Sequence, residues 1–128
     1  MESPTVLIVD DNAEIAHGAT LRLQAAGYSS LTASSGHEAL RVAARELPDA
    51  ILLDVLMPGM DGLETMRRLR RADSTRAIPV VMLSASLRDR QAALDGGARF
   101  FLTKPYAHDD LLAAVGIAMQ KPPVPTES

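Results

Sequence analysis

Asp10 and Asp11 directly follow the run Val6-Leu7-Ile8-Val9, Asp54 follows Ile51-Leu52-Leu53, Ser84 follows Val80-Val81-Met82-Leu83, and Lys104 follows Thr103. In an open parallel sheet the ligand crevice lies beyond the carboxyl ends of the strands, so polar residues at these positions converge on one edge. Three carboxylates in one shallow cleft repel by about 1 kcal/mol per pair at 4 Å in water, and by more where solvent is partly excluded, unless a cation sits among them. The chain has no Cys, and none of His17, His37 or His108 follows an apolar run, so the donors are hard oxygens suited to Mg²⁺ rather than zinc. Such an ion, with the Lys104 ammonium and the Ser84 hydroxyl beside it, stabilises charge developing in a phosphoryl transfer. Asp54 is then the candidate nucleophile.

Taken singly, these residues have plainer uses. An acidic pair before a helix caps its N-terminus, Lys-Pro after a strand is a solvated turn, and a strand-end Ser is a turn hydroxyl. Together, however, all five stand at strand ends in this order, which points to a site. The elements that must position them are legible from patterning. The three longer apolar runs do not alternate, as expected of strands buried on both faces of a parallel sheet. Tyr28 to Ala33 reads as an edge strand, and Arg99 to Thr103 as a fifth short strand after Gly96-Gly97.

Between the strands the spacing is helical. Ile15, Ala19, Leu23 and Ala26 predict one buried face of a first helix that Gly27 ends. Ser35-Gly36-His37-Glu38 fits a capping box for a second, with Leu40, Ala43 and Leu47 inward and Pro48 as its stop. Asp61 to Glu64 opens a third, with Leu63, Met66 and Leu69 inward. Ser86 to Gly96 is a weaker pattern carrying Leu87 and Leu94, and Leu112, Val115 and Met119 mark a final helix. Five strands alternating with five helices predict an α/β fold: an open, doubly wound parallel sheet with helices on both faces, a flavodoxin-like three-layer sandwich.

A chain of 128 residues is one domain, here expected over 1–120, and the prolines at 122, 123 and 125 make 121–128 a tail or linker stub. Lys plus Arg number 13 against 16 Asp plus Glu, a net charge of −3, so the segment lacks the basic excess that direct nucleic-acid binding requires. With no Cys, thiol catalysis, disulfide frameworks and iron–sulfur ligation are excluded. The N-terminus has no basic flank or apolar h-region and no run approaches the roughly 18 apolar residues of a membrane span, so a cytoplasmic setting without membrane contact is expected.

From about Thr5 to Met119 the sequence resembles a receiver domain of a bacterial two-component response regulator. The resemblance lies in Leu7-Ile8-Val9-Asp10-Asp11, Asp54-Val55-Leu56-Met57-Pro58-Gly59-Met60-Asp61-Gly62, Ser84-Ala85 and Lys104-Pro105, in that family's order and spacing. It implies a strand order of 2-1-3-4-5. It also implies that a histidine kinase or histidine phosphotransfer protein donates a phosphoryl group to Asp54, with Mg²⁺ held by Asp11, Asp54 and the Leu56 backbone carbonyl and Asp10 assisting through water. Lys104 would contact the phosphoryl group, the Ser84 hydroxyl would move toward it, and Phe101 would turn into the vacated space. On this reading the chain is a phosphoacceptor that assists its own phosphorylation and dephosphorylation rather than an enzyme. It would regulate an output partner or fused domain, and a phosphorylation-dependent dimer is one assembly to expect.

Some positions depart from the family pattern. Phe101 stands where Tyr is frequent, Ser84 where Thr is usual, and Arg99-Phe100 where acidic residues often stand. Phe100 reads either as a partner anchor or as tucked under the fourth helix. Leu56 and Ser86 occupy positions that in the family influence water access to the acyl phosphate, and neither is an acid or amide, so slow self-hydrolysis is expected. Arg67, Arg68, Arg70, Arg71 and Arg76 read as a solvated basic run at the end of the third helix. The rival function is a Mg²⁺-dependent phosphatase with an aspartyl nucleophile. Such enzymes usually carry an acid two residues after the nucleophile, where this chain has Leu56. A flavin or nucleotide module would need a phosphate-cradling loop after the first strand, and Asp10-Asp11-Asn12-Ala13-Glu14 is acidic instead.

Overall fold

β-Branched and leucine-rich runs with no polar interruption bury both faces, and they form the middle of the sheet. In the computed structural model, which describes residues 3–120, β1 is Thr5–Val9, β3 is Ala50–Asp54 and β4 is Val80–Ser84, and the last two are buried throughout. The more polar β2 (Ser29–Ala33) and the short β5 (Phe100–Thr103) take the edges. All pairings are parallel, in the order β2-β1-β3-β4-β5. This is the doubly wound architecture and strand order expected. The segment 121–128, expected to be a tail, lies outside the described residues.

Alternate side chains feed two cores. Leu7, Val9, Ile51, Leu53, Val80 and Met82 pack with residues of α2 (Gly36–Glu46), α3 (Gly62–Arg71) and α4 (Asp89–Asp95). Val6, Ile8, Leu52, Val81 and Leu83 pack with α1 (Ala13–Ala25) and α5 (His108–Met119). The reversal that places α1 on one face and α2 on the other opens a crevice at the carboxyl end of β1 and β3.

The helices differ from expectation in which residues they bury. In α1 the inward face is Ala16, Ala19 and Leu23, while Ile15 is 45% exposed and Ala26 is also exposed. Small residues let this helix lie close to the sheet, which turns Ile15 out to the rim of the crevice. Leu47 is 54% exposed because it is the left-handed cap of α2, with φ 48°, and Ala39, Val42 and Ala43 form the buried face instead. Leu87 precedes α4 and is 66% exposed, and the only buried residue of that short helix is Ala93. In α3, Met66 and Leu69 are inward as predicted. In α5 the buried set is Leu111, Ala114, Val115 and Ala118, with Leu112 and Met119 at its margin.

Two arginines have structural roles that charge patterning hides. Arg70 donates to the carbonyls of Arg76, Ile78 and Gly97, at 3.0, 2.9 and 2.9 Å, joining α3 to the turns before β4 and β5. The solvated reading therefore fails for this member of the basic run. Arg99 donates to the carbonyls of Ala118 and Gln120, at 2.8 and 2.6 Å, satisfying acceptors at the C-terminus of α5 that have no helical partner. Phe100 packs into the core on the α1/α5 side, half-buried, so it is neither a free partner anchor nor tucked under α4.

The start of α3 approaches the sheet very closely. A Cβ on Gly62 would run into the carbonyl oxygen of Asp54 and reach 2.8 Å from Val55 Cα, so only glycine fits there. Gly18, inside α1, has nothing within 4 Å of the place a methyl group would take. Gly62→Ala is expected to lower the unfolding free energy by about 1–3 kcal/mol through overpacking against backbone. Gly18→Ala is expected to raise it by up to about 1 kcal/mol through helix propensity. Urea denaturation of both variants checks this pair, and a Gly62→Ala protein as stable as wild type would contradict the close approach.

Candidate functional site

The carboxyl ends of β1, β3, β4 and β5 are held in line by ladder bonds that continue past the strands. The amide of Asp10 donates to Ala33 at 3.1 Å, that of Val55 to Leu83 at 2.9 Å, and that of Lys104 to Ser84 at 2.8 Å. Asp10, Asp54, Ser84 and Lys104 are thereby delivered to one edge by backbone alone. The Lys104–Pro105 peptide is cis.

The helix after β1 is capped by Asn12, whose side chain accepts from the amides of Glu14 and Ile15 at 3.0 and 3.2 Å. The N-cap is therefore Asn12 rather than either aspartate, with Asp10 reaching only the amide of the cap residue itself. Asp10 is buried and accepts from the Asn12 amide at 2.9 Å, and Asp11 is exposed at the mouth of the cleft. Asp10, Asp11 and Asp54 each offer a carboxylate oxygen within 4.8 Å of the others.

Asp54 is buried, and its Oδ1 lies 3.2 Å from Lys104 Nζ, while Asp10 Oδ2 lies 3.7 Å from the same nitrogen. Burial pushes the Asp54 carboxyl above its ordinary range. Lys104 pulls it back, by charge and by hydrogen bond, and the neighbouring Asp10 and Asp11 add smaller upward pushes. Two negative charges more than Lys104 can match are thus concentrated in a cleft lined by Asp10, Asp11, Asn12, Ile15, Asp54 and Lys104. The donor set is all oxygen and fits a hard divalent ion such as Mg²⁺.

The remaining residues singled out from the sequence divide. Leu56 lines the cleft with its side chain 82% exposed. Ser84 is buried, yet its hydroxyl donates to Asp89 Oδ2 at 2.6 Å rather than to any group of the acidic cluster. Phe101 is half-buried against the core on the α2/α3/α4 side. The three histidines are exposed and stand outside the cluster, as expected. Sequence reasoning misses Asp89, Asn12 and Gly62 as contributors. The available signals are an acid in the first turn of a weak helix, an Asn at a helix start, and a Gly after a helix-capping Asp.

Residues 6–116 match the sequence profile of the response regulator receiver domain. The chain belongs to that family. It is 40% identical over 118 residues to response regulator MprA of Mycobacterium leprae, an alignment covering 91% of this chain and 51% of that protein. The receiver domain spans about half the length of the first curated relatives it matches. Its fold is similar to that of the chemotaxis protein CheY4 of Vibrio cholerae, with TM-score 0.85 and 34% identity over 91% of this chain and 98% of that one. It is similar also to the receiver domain of sensor histidine kinase PA1611 from Pseudomonas aeruginosa, with TM-score 0.84 and 28% identity over 91% and 98% of the two chains. That structure has a magnesium ion coordinated in its active-site cleft. Among the described residues of the receiver domain, no helix is long and apolar enough to cross a membrane.

The raised pKa of Asp54 has a definite sign in stability. Its folded-state value lies above its unfolded value, so folding favours the protonated form. That contribution is fully present below the ordinary carboxylate pKa and is lost as pH rises through the raised value. Asp54→Asn is therefore expected to melt at a higher temperature than wild type at neutral pH with a chelator present, while Lys104 keeps Asp10 as partner. The gap should narrow as pH falls through the carboxylate range. A gap that is absent at neutral pH, or constant across pH, would contradict the burial argument.

Proposed function

We propose that this receiver domain is a phosphorylation-activated signalling switch whose phosphoacceptor is Asp54. The observation that carries the reading is the placement of a buried Asp54 carboxylate 3.2 Å from the Lys104 ammonium, with the Asp10 and Asp11 carboxylates within 4.8 Å. The phosphoryl donor is a histidine kinase or a histidine phosphotransfer protein. An Asp54 carboxylate oxygen bonds to phosphorus as the phosphorus–nitrogen bond of the donor phosphohistidine breaks, leaving a mixed anhydride on Asp54, and the imidazole, already protonated on its other nitrogen, departs neutral.

Asp11, Asp54 and the backbone carbonyl of Leu56 would hold Mg²⁺, with Asp10 acting through a water, and the bound ion supplies neutralisation of charge on carboxylate and phosphoryl oxygens. The protein groups do the rest. Lys104, already beside Asp54, moves its charge onto the phosphoryl oxygens. The Ser84 hydroxyl turns from Asp89 toward the same oxygens, and Phe101, half-buried at the edge strand, turns into the space left behind. The output is regulation of a partner or a fused domain, in a cytoplasmic setting. A phosphorylation-dependent dimer is one form that output takes.

The phosphatase alternative finds less support in the cleft. Leu56, two residues after the nucleophile, points an alkyl chain into solvent and offers neither acid nor base. The Ser86 hydroxyl, which accepts from the Arg88 amide at 3.2 Å, carries no charge and is a weak base for orienting an attacking water. A long-lived acyl phosphate, formed once per chain, follows.

Incubation with acetyl phosphate and Mg²⁺, followed by intact mass, is expected to add one phosphoryl group to wild type and none to Asp54→Asn. Label on the Asn variant, or none on wild type, would overturn the assignment of Asp54, and continuous release of phosphate over many cycles would favour the phosphatase. In the same reaction, after the donor is removed, Ser86→Glu is expected to lose its phosphoryl group several-fold faster than wild type by supplying a water-orienting carboxylate. An unchanged decay rate would refute the account of slow hydrolysis.

A further inference from the structure

A hydroxyl has one proton to give, and that of Ser84 is already committed. Ser84 is buried, and its Oγ donates to Asp89 Oδ2 at 2.6 Å while accepting from the Ser86 amide at 3.0 Å. A short bond to a carboxylate is roughly twice as strong as one between neutral groups. It follows that Ser84 donates either to Asp89 or to a phosphoryl oxygen on Asp54, never to both.

Asp89 is also the first residue of α4, the most weakly anchored helix in the fold. That helix buries one residue, Ala93, and its N-cap, Arg88, makes no side-chain capping bond. Its entry is otherwise held by bonds within the turn, from the Arg88 amide to the Ser86 hydroxyl at 3.2 Å, from the Asp89 amide to the Ser86 carbonyl at 3.2 Å and from the Arg90 amide to the Leu87 carbonyl at 3.1 Å. The Ser84–Asp89 bond is therefore the side-chain link between the end of β4 and the first turn of α4. Arg88 and Asp89 line a groove together with Asp54, Ser84 and Lys104, so a change at one is felt within a single cleft.

We infer that Asp89 is a positioning residue, holding the Ser84 hydroxyl away from the phosphoryl position and pinning the start of α4 until a phosphoryl group on Asp54 competes for the same proton. The inference rests on the reading of Asp54 as phosphoacceptor. It adds to it a specific device: release of a carboxylate when the hydroxyl turns away, which frees the first turn of α4 at the moment the charge arrives. Removing the carboxylate should free that turn without any phosphoryl group.

The test combines amide hydrogen exchange over residues 85–91 with the rate of labelling by acetyl phosphate and Mg²⁺. Wild type is labelled first. No label there removes the phosphoacceptor reading itself, whereas a labelled wild type leaves the latch to be judged on its variants. Unphosphorylated Asp89→Ala is expected to exchange roughly ten-fold faster over this segment and to be labelled faster than wild type. Asp89→Asn, whose amide oxygen still accepts the Ser84 proton but through a weaker, uncharged bond, should fall between wild type and Asp89→Ala on both readouts. Ser84→Ala alone should raise exchange as Asp89→Ala does, and adding Asp89→Ala to it should change little further. Exchange unaltered in Asp89→Ala would overturn the proposal. So would Asp89→Asn behaving as Asp89→Ala, which would assign the effect to charge, or a full Asp89→Ala effect in the Ser84→Ala background, which would assign it to helix capping.

Discussion

A carboxylate buried at the end of a strand carries a desolvation penalty that a single ammonium does not remove, and the chemistry of this domain follows from that imbalance. Asp54 is pushed toward its neutral form by burial and pulled back only in part by Lys104, with the carboxyl groups of Asp10 and Asp11 crowding the same edge. A site in this condition suits a divalent ion, and under the proposed function the ion would in turn favour a dianionic phosphoryl group that shares the added positive charge. The same crowding that destabilises the resting cleft makes it receptive to both.

Geometry makes this imbalance reproducible. Parallel strands put their carboxyl ends on one edge, and the ladder bonds that run on into residues 10, 55 and 104 fix the backbone of the cluster to within a hydrogen bond of its neighbours. Asn12 takes the N-cap position that the acidic pair could have filled, and Gly62 lets the start of α3 sit against the carbonyl of Asp54. β4 lies between the strands that lead to Asp54 and Lys104, and its Ser84 is bonded to α4, a helix with a single buried residue.

The architecture and the acidic cluster are legible in the sequence because they depend on features that are local to it: unbroken apolar runs for central strands, and the first polar residue after each run for the site. Strand order comes from family resemblance. What is not legible depends on tertiary contact. Ile15 has the right spacing for a core residue but lies at the cleft rim, because the alanines of α1 approach the sheet instead. Arg70 looks like one cation among five and is in fact a three-way clamp on carbonyls from separate turns. Phe100 faces the α1/α5 core because strand alternation, not hydrophobicity, decides which layer a β5 residue enters. Asp89 is visible as a helix-start acid, but its bond to Ser84 needs the fold.

The central claim is that the acids and lysine at the sheet edge gather one divalent ion and one tetrahedral anion around Asp54. The most direct measurement is a crystal structure of the receiver domain grown with Mg²⁺ and beryllofluoride. The account predicts an ion among Asp10, Asp11 and Asp54, a beryllofluoride group on the Asp54 carboxylate in contact with Lys104, and the Ser84 hydroxyl turned from Asp89 toward it. Density for both species elsewhere, with Asp54 and Lys104 still paired to each other, would contradict it.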